Sequence, residues 1–413
     1  MGTLSNTYLV GGAVRDQLMG IASKDRDYVV VGETPETMLA SGFKPVGADF
    51  PVFLHPESKE EYALARTERK SGRGYHGFDI ASDPSVTLED DLARRDLTIN
   101  AMAFDNNGQL IDPYNGYADL QTKMLRHTTE AFAEDPLRVL RVARFKARYG
   151  NEWQIHPDTQ RLMLSLRDNG EMSHLVPERV WKETEKALME PHPHLFFETL
   201  LGFGVFPELE AMVGIPQPAE YHPEGDVFTH TMLVVKRAAE LGFDLSTRFA
   251  ALTHDFGKAS SYKTHGRLAG HEQEGVEVIK AFCRRLKLPN YLTQIAIMMS
   301  DNHTRCHRIF SLTPKKLHKL LVTKLDAIAQ PLRLEQVLNA CICDVQGRGP
   351  TMVNTAYPQA DFAKALVECL MRFDKKAAAR EAINMGKTGE AIGEWIRVKE
   401  IDEIRAYLKE QHQ

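Results

Sequence analysis

Residues 9–31 read LVGGAVRDQLMGIASKDRDYVVV and constrain this chain more than any other stretch. One apolar segment ends in Gly11-Gly12, and a second follows Asp25 and Asp27. Side chains two apart on a strand share a face. Two carboxylates therefore sit side by side at the mouth of a strand whose next residues, Tyr28 to Val31, belong to a core. Such crowding is costly without a cation, and Mg²⁺ takes oxygen ligands that it shares with substrate phosphates. Gly11 and Gly12 offer backbone N–H groups with no side chain in the way, as a phosphate requires. The bland alternative is a capping aspartate and a surface aspartate beside an ordinary turn. Arg15, three residues past Gly12, weighs toward phosphate and metal chemistry.

A chain of 413 residues with 43% hydrophobic content can build roughly two to four domains. No run approaches the ~18 to 20 apolar residues of a membrane span, and no basic segment followed by an apolar run suggests export. Five scattered cysteines (283, 306, 341, 343 and 369) make neither a disulfide framework nor a zinc ribbon. The expectation is a reduced, cytoplasmic protein. A net charge of −5 argues against a general nucleic-acid coat protein, yet arginines crowd residues 126–148 and can hold phosphate locally.

Residues 1–125 alternate strand-like and short helical segments. Strands are expected at 7–10, 27–31, 51–55, 61–66 and 109–112, and turns at Gly72-Arg73-Gly74, Asn106-Asn107-Gly108 and Asp112 to Gly116. From residue 126 the apolar spacing becomes helical, and prolines from Pro191 to Pro218 suggest a boundary near 190–222.

Glu61 opens a strand-like alternation and is a candidate third metal ligand beside Asp25 and Asp27, or else an exposed acid in the run 57–61. Residues 89–100 cluster charge and end in an apolar helix start. Arg94 and Arg95 suit a triphosphate or RNA backbone, Asp96 suits orienting one of them, and Asn100 suits a ribose or a loop. The alternative there is a helix laced with i,i+3 and i,i+4 ion pairs. Residues 134–148 form a helix with Asp135 at the cap and Pro136 in the first turn. Arg138, Arg141 and Arg144 follow at steps of three and drift along one face, with no further acid in the stripe. Asp135 and Arg138 can read the amino group and adjacent ring nitrogen of cytosine or adenine. Guanine and uracil present the opposite order of donor and acceptor.

Together, Gly-Gly-Ala-Val-Arg-Asp (11–16), Asp25-x-Asp27, Arg94-Arg95-Asp96-x-x-x-Asn100 and Glu134-Asp135-x-x-Arg138 resemble the class II CCA-adding enzymes, or tRNA nucleotidyltransferases. The resemblance is greatest to the gammaproteobacterial type with an HD phosphohydrolase domain. It implies an α+β nucleotidyltransferase head of the DNA polymerase beta superfamily, with a mixed sheet and helices (1–125). An all-α neck (126–190), a body (191–345) with the HD domain at about 225–330, and a tRNA-binding tail (346–413) would follow. It implies that Asp25 and Asp27 bind the catalytic Mg²⁺, with Glu61 as third carboxylate. Gly12, Arg15, Arg95, Asp135, Arg138, Arg141 and Arg144 would contact ATP or CTP, supported by Gly11, Asp96 and Asn100. Partners would be tRNA, CTP and ATP, with the chain a monomer or homodimer.

His254-Asp255 ends an apolar helix, His230 precedes it, and His265, His271, His303 and Asp344 follow. Imidazole and carboxylate together suit a divalent transition metal that activates water. The order resembles HD phosphohydrolases. That resemblance implies one metal on His230, His254, Asp255 and Asp344, with Ni²⁺ a candidate, and a second reached by His271 and His303. The implied activities are phosphatase, 2′-nucleotidase and 2′,3′-cyclic phosphodiesterase. Rival readings are a poly(A) polymerase, a partial-specificity enzyme adding only CC or only A, an HD hydrolase whose head senses nucleotide, and a non-enzymatic RNA-binding protein. Replacing Asp135 and Arg138 by residues of reversed polarity is expected to raise GTP or UTP use in incorporation assays; unchanged selectivity would refute this base-reading scheme.

Overall fold

The computed structural model describes residues 6–23, 25–46, 52–70, 78–81, 83–220 and 222–411. The turn expected at Gly72-Arg73-Gly74 lies outside them. The chain divides into two compact units, Met1–Ala187 with Leu195–Val205, and Leu188–His194 with Phe206–Gln413.

The first unit is built on strands β1 (Thr7–Val10), β2 (Asp27–Val30), β3 (Lys44–Val46), β4 (Val52–Leu54), β5 (Glu61–Leu64), β6 (Thr67–Lys70), β7 (Phe78–Ala81), β8 (Ala103–Phe104) and β9 (Leu110–Ile111). Seven make one mixed sheet in the order β3-β4-β5-β2-β1-β8-β9, and β6 pairs with β7 separately. β2 runs parallel to β5 and antiparallel to β1. Successive residues of a strand face opposite sides, and both faces of β2 are covered. Val29 packs with Val10, Leu92 and Ala103, while Val30 packs with Met38, Phe43, Phe53 and Leu64. This two-sided burial explains the unbroken apolar run after Asp27.

Two departures from the sequence expectation have physical causes. β3 is Lys44-Pro45-Val46, an exposed edge strand without apolar alternation, where a proline can stand because the outer side needs no donor. Residues 89–100 do not end in a helix start. The helix Leu88–Ala93 is closed at its N-terminus by a capping box between Thr87 and Asp90. It is followed by a 3₁₀ turn, Thr98–Asn100, and then by β8. The sheet claims this apolar segment: β8 pairs with β1, and the Gly11 amide donates to the Met102 carbonyl at 3.2 Å.

The helix Leu137–Tyr149 buries Val139, Leu140, Val142 and Ala143 completely and ends at Gly150, whose φ of 83° takes the chain out of helix. In the second unit, Val227–Glu240, Leu245–Thr253, Gly257–His265, His271–Arg285, Asn290–His307 and Pro331–Gln346 form a helical body. Pro358–Arg372, Lys375–Asn384 and Glu390–Gln411 follow. A shared core joins Met299, Leu320, Leu338, Leu366 and Ile404. Among the described residues no helix is long and apolar enough to cross a membrane.

The helices beginning at Gly257 and His271 touch through glycine. A Cβ on Gly257 would overlap the His271 carbonyl and the Gly275 amide, which are rigid backbone. Gly257→Ala is therefore expected to cost about 1–3 kcal/mol or more, as overpacking does, read as a lowered thermal midpoint. An unchanged midpoint would show that these helices separate freely.

Candidate functional site

Two groups of side chains carry chemistry, one in each unit. In the first unit a cavity of about 560 Å³ lies between the Gly11-Gly12 turn, the start of β2 and the helix Leu137–Tyr149. Nine arginines line it (15, 66, 94, 95, 138, 141, 144, 148 and 179) against three aspartates (27, 96 and 135). That excess of positive charge in a concave, polar space suits a polyanion such as a triphosphate.

Buried carboxylates hold the arginines. Asp91, fully buried, accepts from Arg94 Nη2 at 2.6 Å and from Arg95 Nη2 at 3.1 Å. Burial would raise its carboxyl, but Arg95 and Arg94 outweigh that and hold it below its ordinary value. Arg94 also donates to the Arg66 carbonyl, tying the chain just after β5 to this helix. Asp91 thus performs the task that the sequence reading gave to Asp96. The reason is helical spacing: Asp91 stands three and four residues before the two arginines, whereas Asp96 lies beyond the helix end.

Asp96 instead accepts from Arg141 Nε at 2.7 Å, Asn100 Nδ2 at 3.0 Å and the Leu97 amide. Burial opposes its charge, but Arg141 and these donors keep it far below the usual carboxylate range. Asn100 in turn accepts from Arg15 Nη1, and Arg15 also holds Asp16 at 2.7 Å. Arg144 meets Glu183 at 2.6 Å, and Arg141 lies 3.9 Å from the same carboxylate. The stripe on the helix Leu137–Tyr149 therefore has acidic partners after all, supplied by other elements. Arg138 donates to the Ala131 and Arg94 carbonyls, and Asp135 pairs with Arg179 at 2.7 Å while accepting from the Leu137 amide.

Gly11, with φ at 71°, turns the chain from β1 into the helix Gly12–Leu18, and a Cβ there would crowd Arg95 Nη1 at 2.7 Å. Asp27 opens β2 at the cavity wall, and Asp25 lies just ahead of the strand, exposed. Burial raises the Asp27 carboxyl, Arg95 opposes, and Asp25 raises it further. The parallel register sets Glu61 beside Asp27. The oxygens of Asp25, Asp27 and Glu61 do not draw within 4.8 Å of one another, so this trio is not a preformed cage.

In the second unit three trios of ligand atoms converge among the described residues: His222, Glu224 and His230; His230, His254 and Asp344; and Asp255, His271 and His303. Asp255 stands between the last two. Its Oδ2 is 3.1 Å from His254 Nε2 and 3.9 Å from His230 Nε2, while its Oδ1 is 3.5 Å from His271 and 3.8 Å from His303. The Nδ1 atoms of His254, His271 and His303 face the carbonyls of Ala251, Leu268 and Ser300, which aims each Nε2 inward. His254 Nε2, His230 Nε2 and both Asp255 oxygens are buried without a well-aligned hydrogen bond, as metal ligands would be. Burial pushes His303 down to about 3, leaving it neutral and able to ligate. Burial also opposes charge on His254, but Asp255 and Asp344 hold that imidazole above its ordinary value. A proton there neutralises carboxylates that a divalent ion would otherwise satisfy.

Residues 7–126 match the Poly A polymerase head domain, 153–212 the probable RNA and SrmB-binding site of polymerase A, and 227–340 the HD domain. The multifunctional CCA protein of Acinetobacter baumannii (strain SDF) is 50% identical over 412 residues, covering 98% of each chain. The chain belongs to the multifunctional CCA proteins. The protein of that name from Laribacter hongkongensis (strain HLHK9) is 50% identical over 380 residues, 91% of this chain and 93% of that one. Among solved structures, the Bacillus stearothermophilus CCA-adding enzyme in complex with CTP aligns with a TM-score of 0.64 at 22% identity, over 98% of this chain and 89% of that one. The Thermotoga maritima CCA-adding enzyme complexed with tRNA_CCA aligns at 0.61 and 22%, over 97% and 91%. At that identity they share the fold: a nucleotidyltransferase head with a mixed sheet, followed by helical domains. This family member is thus a nucleotidyltransferase carrying an HD domain.

Several residues of both sites escaped the sequence reading. Asp91 was signalled by its i,i+3 and i,i+4 spacing, but nothing local marks Arg179, which lines the cavity, or Glu183, which holds Arg144, both on the helix Pro177–Leu188. His307, one turn after His303, holds Asp344 Oδ2 at 2.7 Å, and Glu224 lies 2.6 Å from His230 Nδ1. If the two trios around Asp255 take metal, a divalent transition ion at 100 times its dissociation constant adds about 2.7 kcal/mol of stability. Thermal midpoints should therefore rise on titration with Mn²⁺, Co²⁺ or Ni²⁺, and Asp344→Asn and His303→Ala should blunt the rise. A wild-type midpoint indifferent to all three ions would show that the trios hold none.

Proposed function

We propose that this protein adds C, C and A to the tRNA 3′ end from CTP and ATP without a nucleic-acid template, in tRNA maturation and repair. The observation that carries this reading is the arginine-lined cavity opening beside Asp27 and the Gly11-Gly12 turn. Curated relatives of 50% identity bear the name multifunctional CCA protein, which supports it. The 3′-hydroxyl oxygen of the tRNA attacks the α-phosphorus, the bond to the β-phosphate breaks, and pyrophosphate leaves while the hydroxyl proton is lost. Asp25 and Asp27 would hold Mg²⁺, with Glu61 beside them. One such ion would lower the proton affinity of the hydroxyl and another would steady the departing pyrophosphate.

The chain's own residues supply alignment. Gly11 and Gly12 let phosphate oxygens approach backbone amides. Arg15, Arg95, Arg141 and Arg144, each held by a carboxylate or an amide oxygen, present guanidinium edges without first having to be ordered. Asp135 and Arg138 would read the base edge, because a mismatched base leaves their polar groups unpaired. We assign residues 1–125 to the head, 126–190 to the neck, 191–345 to the body and 346–413 to a tRNA-binding tail.

A second reading is carried by the converging trios around Asp255. They support a metal-dependent phosphohydrolase, acting as phosphatase, 2′-nucleotidase or 2′,3′-cyclic phosphodiesterase. In the cyclic case a water oxygen bonds to phosphorus, one ring P–O bond breaks, and the departing oxygen takes up a proton. Full-length protein should extend tRNA trimmed of its last three nucleotides by CCA and then stop. Asp27→Ala should abolish extension and keep hydrolysis of 2′,3′-cyclic AMP, whereas His254→Ala with Asp255→Ala should do the reverse. Extension surviving in Asp27→Ala would refute the first reading. Loss of both activities in either variant would refute independent sites.

A further inference from the structure

A cavity of about 590 Å³ in the second unit has no part in the two sites above. The end of the helix Asn290–His307, the short helix Pro314–His318 and the π-helical turn Lys319–Lys324 wall it. Arg305, Arg308, Lys316, Lys319 and Lys324 line it against two acids, Glu272 and Asp301. Asp301 is taken: Lys324 donates to it at 2.9 Å and Arg305 lies 3.6 Å from it. Arg308, Lys316 and Lys319 have no ion-pair partner among the described residues. Three uncompensated cations thus face one concave space in a chain whose net charge is −5.

The position of this cavity is as informative as its charge. Its rim includes Glu272 and Thr304, the sequence neighbours of His271 and His303. The basic cavity is therefore walled by residues adjacent in sequence to two members of the Asp255, His271 and His303 trio. Its volume exceeds what one phosphate fills and falls within the range of sites that hold a nucleotide-sized ligand.

We propose that the Arg308, Lys316 and Lys319 cavity seats the backbone phosphates of an RNA strand whose 3′ end lies at the trios. The proposal rests on the phosphohydrolase reading above. A strand reaching the trios from this side sets its penultimate phosphates among the three cations, while a mononucleotide has no phosphate to set there. The cavity thereby makes the hydrolase prefer RNA ends over free nucleotides.

The test compares 2′,3′-cyclic AMP with a short single-stranded RNA ending in a 2′,3′-cyclic phosphate, using metal-supplied full-length protein. The wild type should favour the RNA in kcat/KM. For a single strand the logarithm of affinity falls with that of salt by about 0.7 per phosphate contacted, so three contacts give a slope near about −2. In Arg308→Ala/Lys316→Ala/Lys319→Ala the preference for RNA should fall at least about tenfold and the slope should flatten toward zero. The single variant Lys316→Glu should move both readouts the same way. A preference and slope unchanged in these variants, with cyclic AMP still hydrolysed, would overturn the proposal. A wild type that hydrolyses neither substrate would overturn the underlying phosphohydrolase reading instead. Equal loss of salt dependence with both substrates would assign the cavity to free nucleotide, and so also count against the RNA-backbone proposal.

Discussion

Nine guanidinium groups around one cavity repel one another, and the first unit is organised by how that repulsion is contained. Asp91, Asp96 and Glu183 are each nearly or wholly inaccessible to solvent, and each is bonded to one or two arginines. Removing one partner from such a pair leaves a buried charge uncompensated and costs about 3–5 kcal/mol. The carboxylates neutralise enough charge for the unit to fold and leave a surplus facing the cavity. They also fix guanidinium orientation, so an incoming polyphosphate meets donors that are already ordered. Binding then costs less side-chain entropy than it would on a lysine-rich surface.

The second unit solves the opposite problem. There the buried surplus is imidazole and carboxylate, and the repulsion to be contained is between Asp255 and Asp344. Lys258 at 2.7 Å from Asp255 and Arg348 at 3.2 Å from Asp344 contain part of it. The remainder falls on His254, held above its ordinary proton affinity by these two acids. Backbone carbonyls fix the rings of His254 and His271, and the helices beginning at Gly257 and His271 pack tightly through Gly257 and Gly275.

How much of this was legible in the sequence depended on the range of each signal. Gly11-Gly12, Asp25-x-Asp27 and the arginine stripe are local, and the strand that Asp27 opens was readable from its apolar run. The adjacency of His254 and Asp255 was likewise readable. What failed was long-range partnership. Arg141 looked unpaired because its acids come from residues 45 and 42 positions away in sequence, Asp96 and Glu183. β3 was invisible because an edge strand with proline carries no alternation, and β8 because two residues carry no period at all. Asp96 was misassigned because proximity in sequence was taken for proximity along a helix that stops at Ala93.

The parallel register of β2 and β5 has a consequence for how such chains can diverge. Glu61 stands beside Asp27 through ladder bonds between the two strands, and the intervening β3 and β4 hang off the far edge of β5. Insertions or deletions between β2 and β5 therefore alter the rim of the sheet without moving the carboxylates. A single-residue slip within β5 would instead turn Glu61 to the opposite face. Length variation should accumulate in the connection and be absent from the pairing, so the acidic cluster can persist among chains that no longer align between Val31 and Glu60.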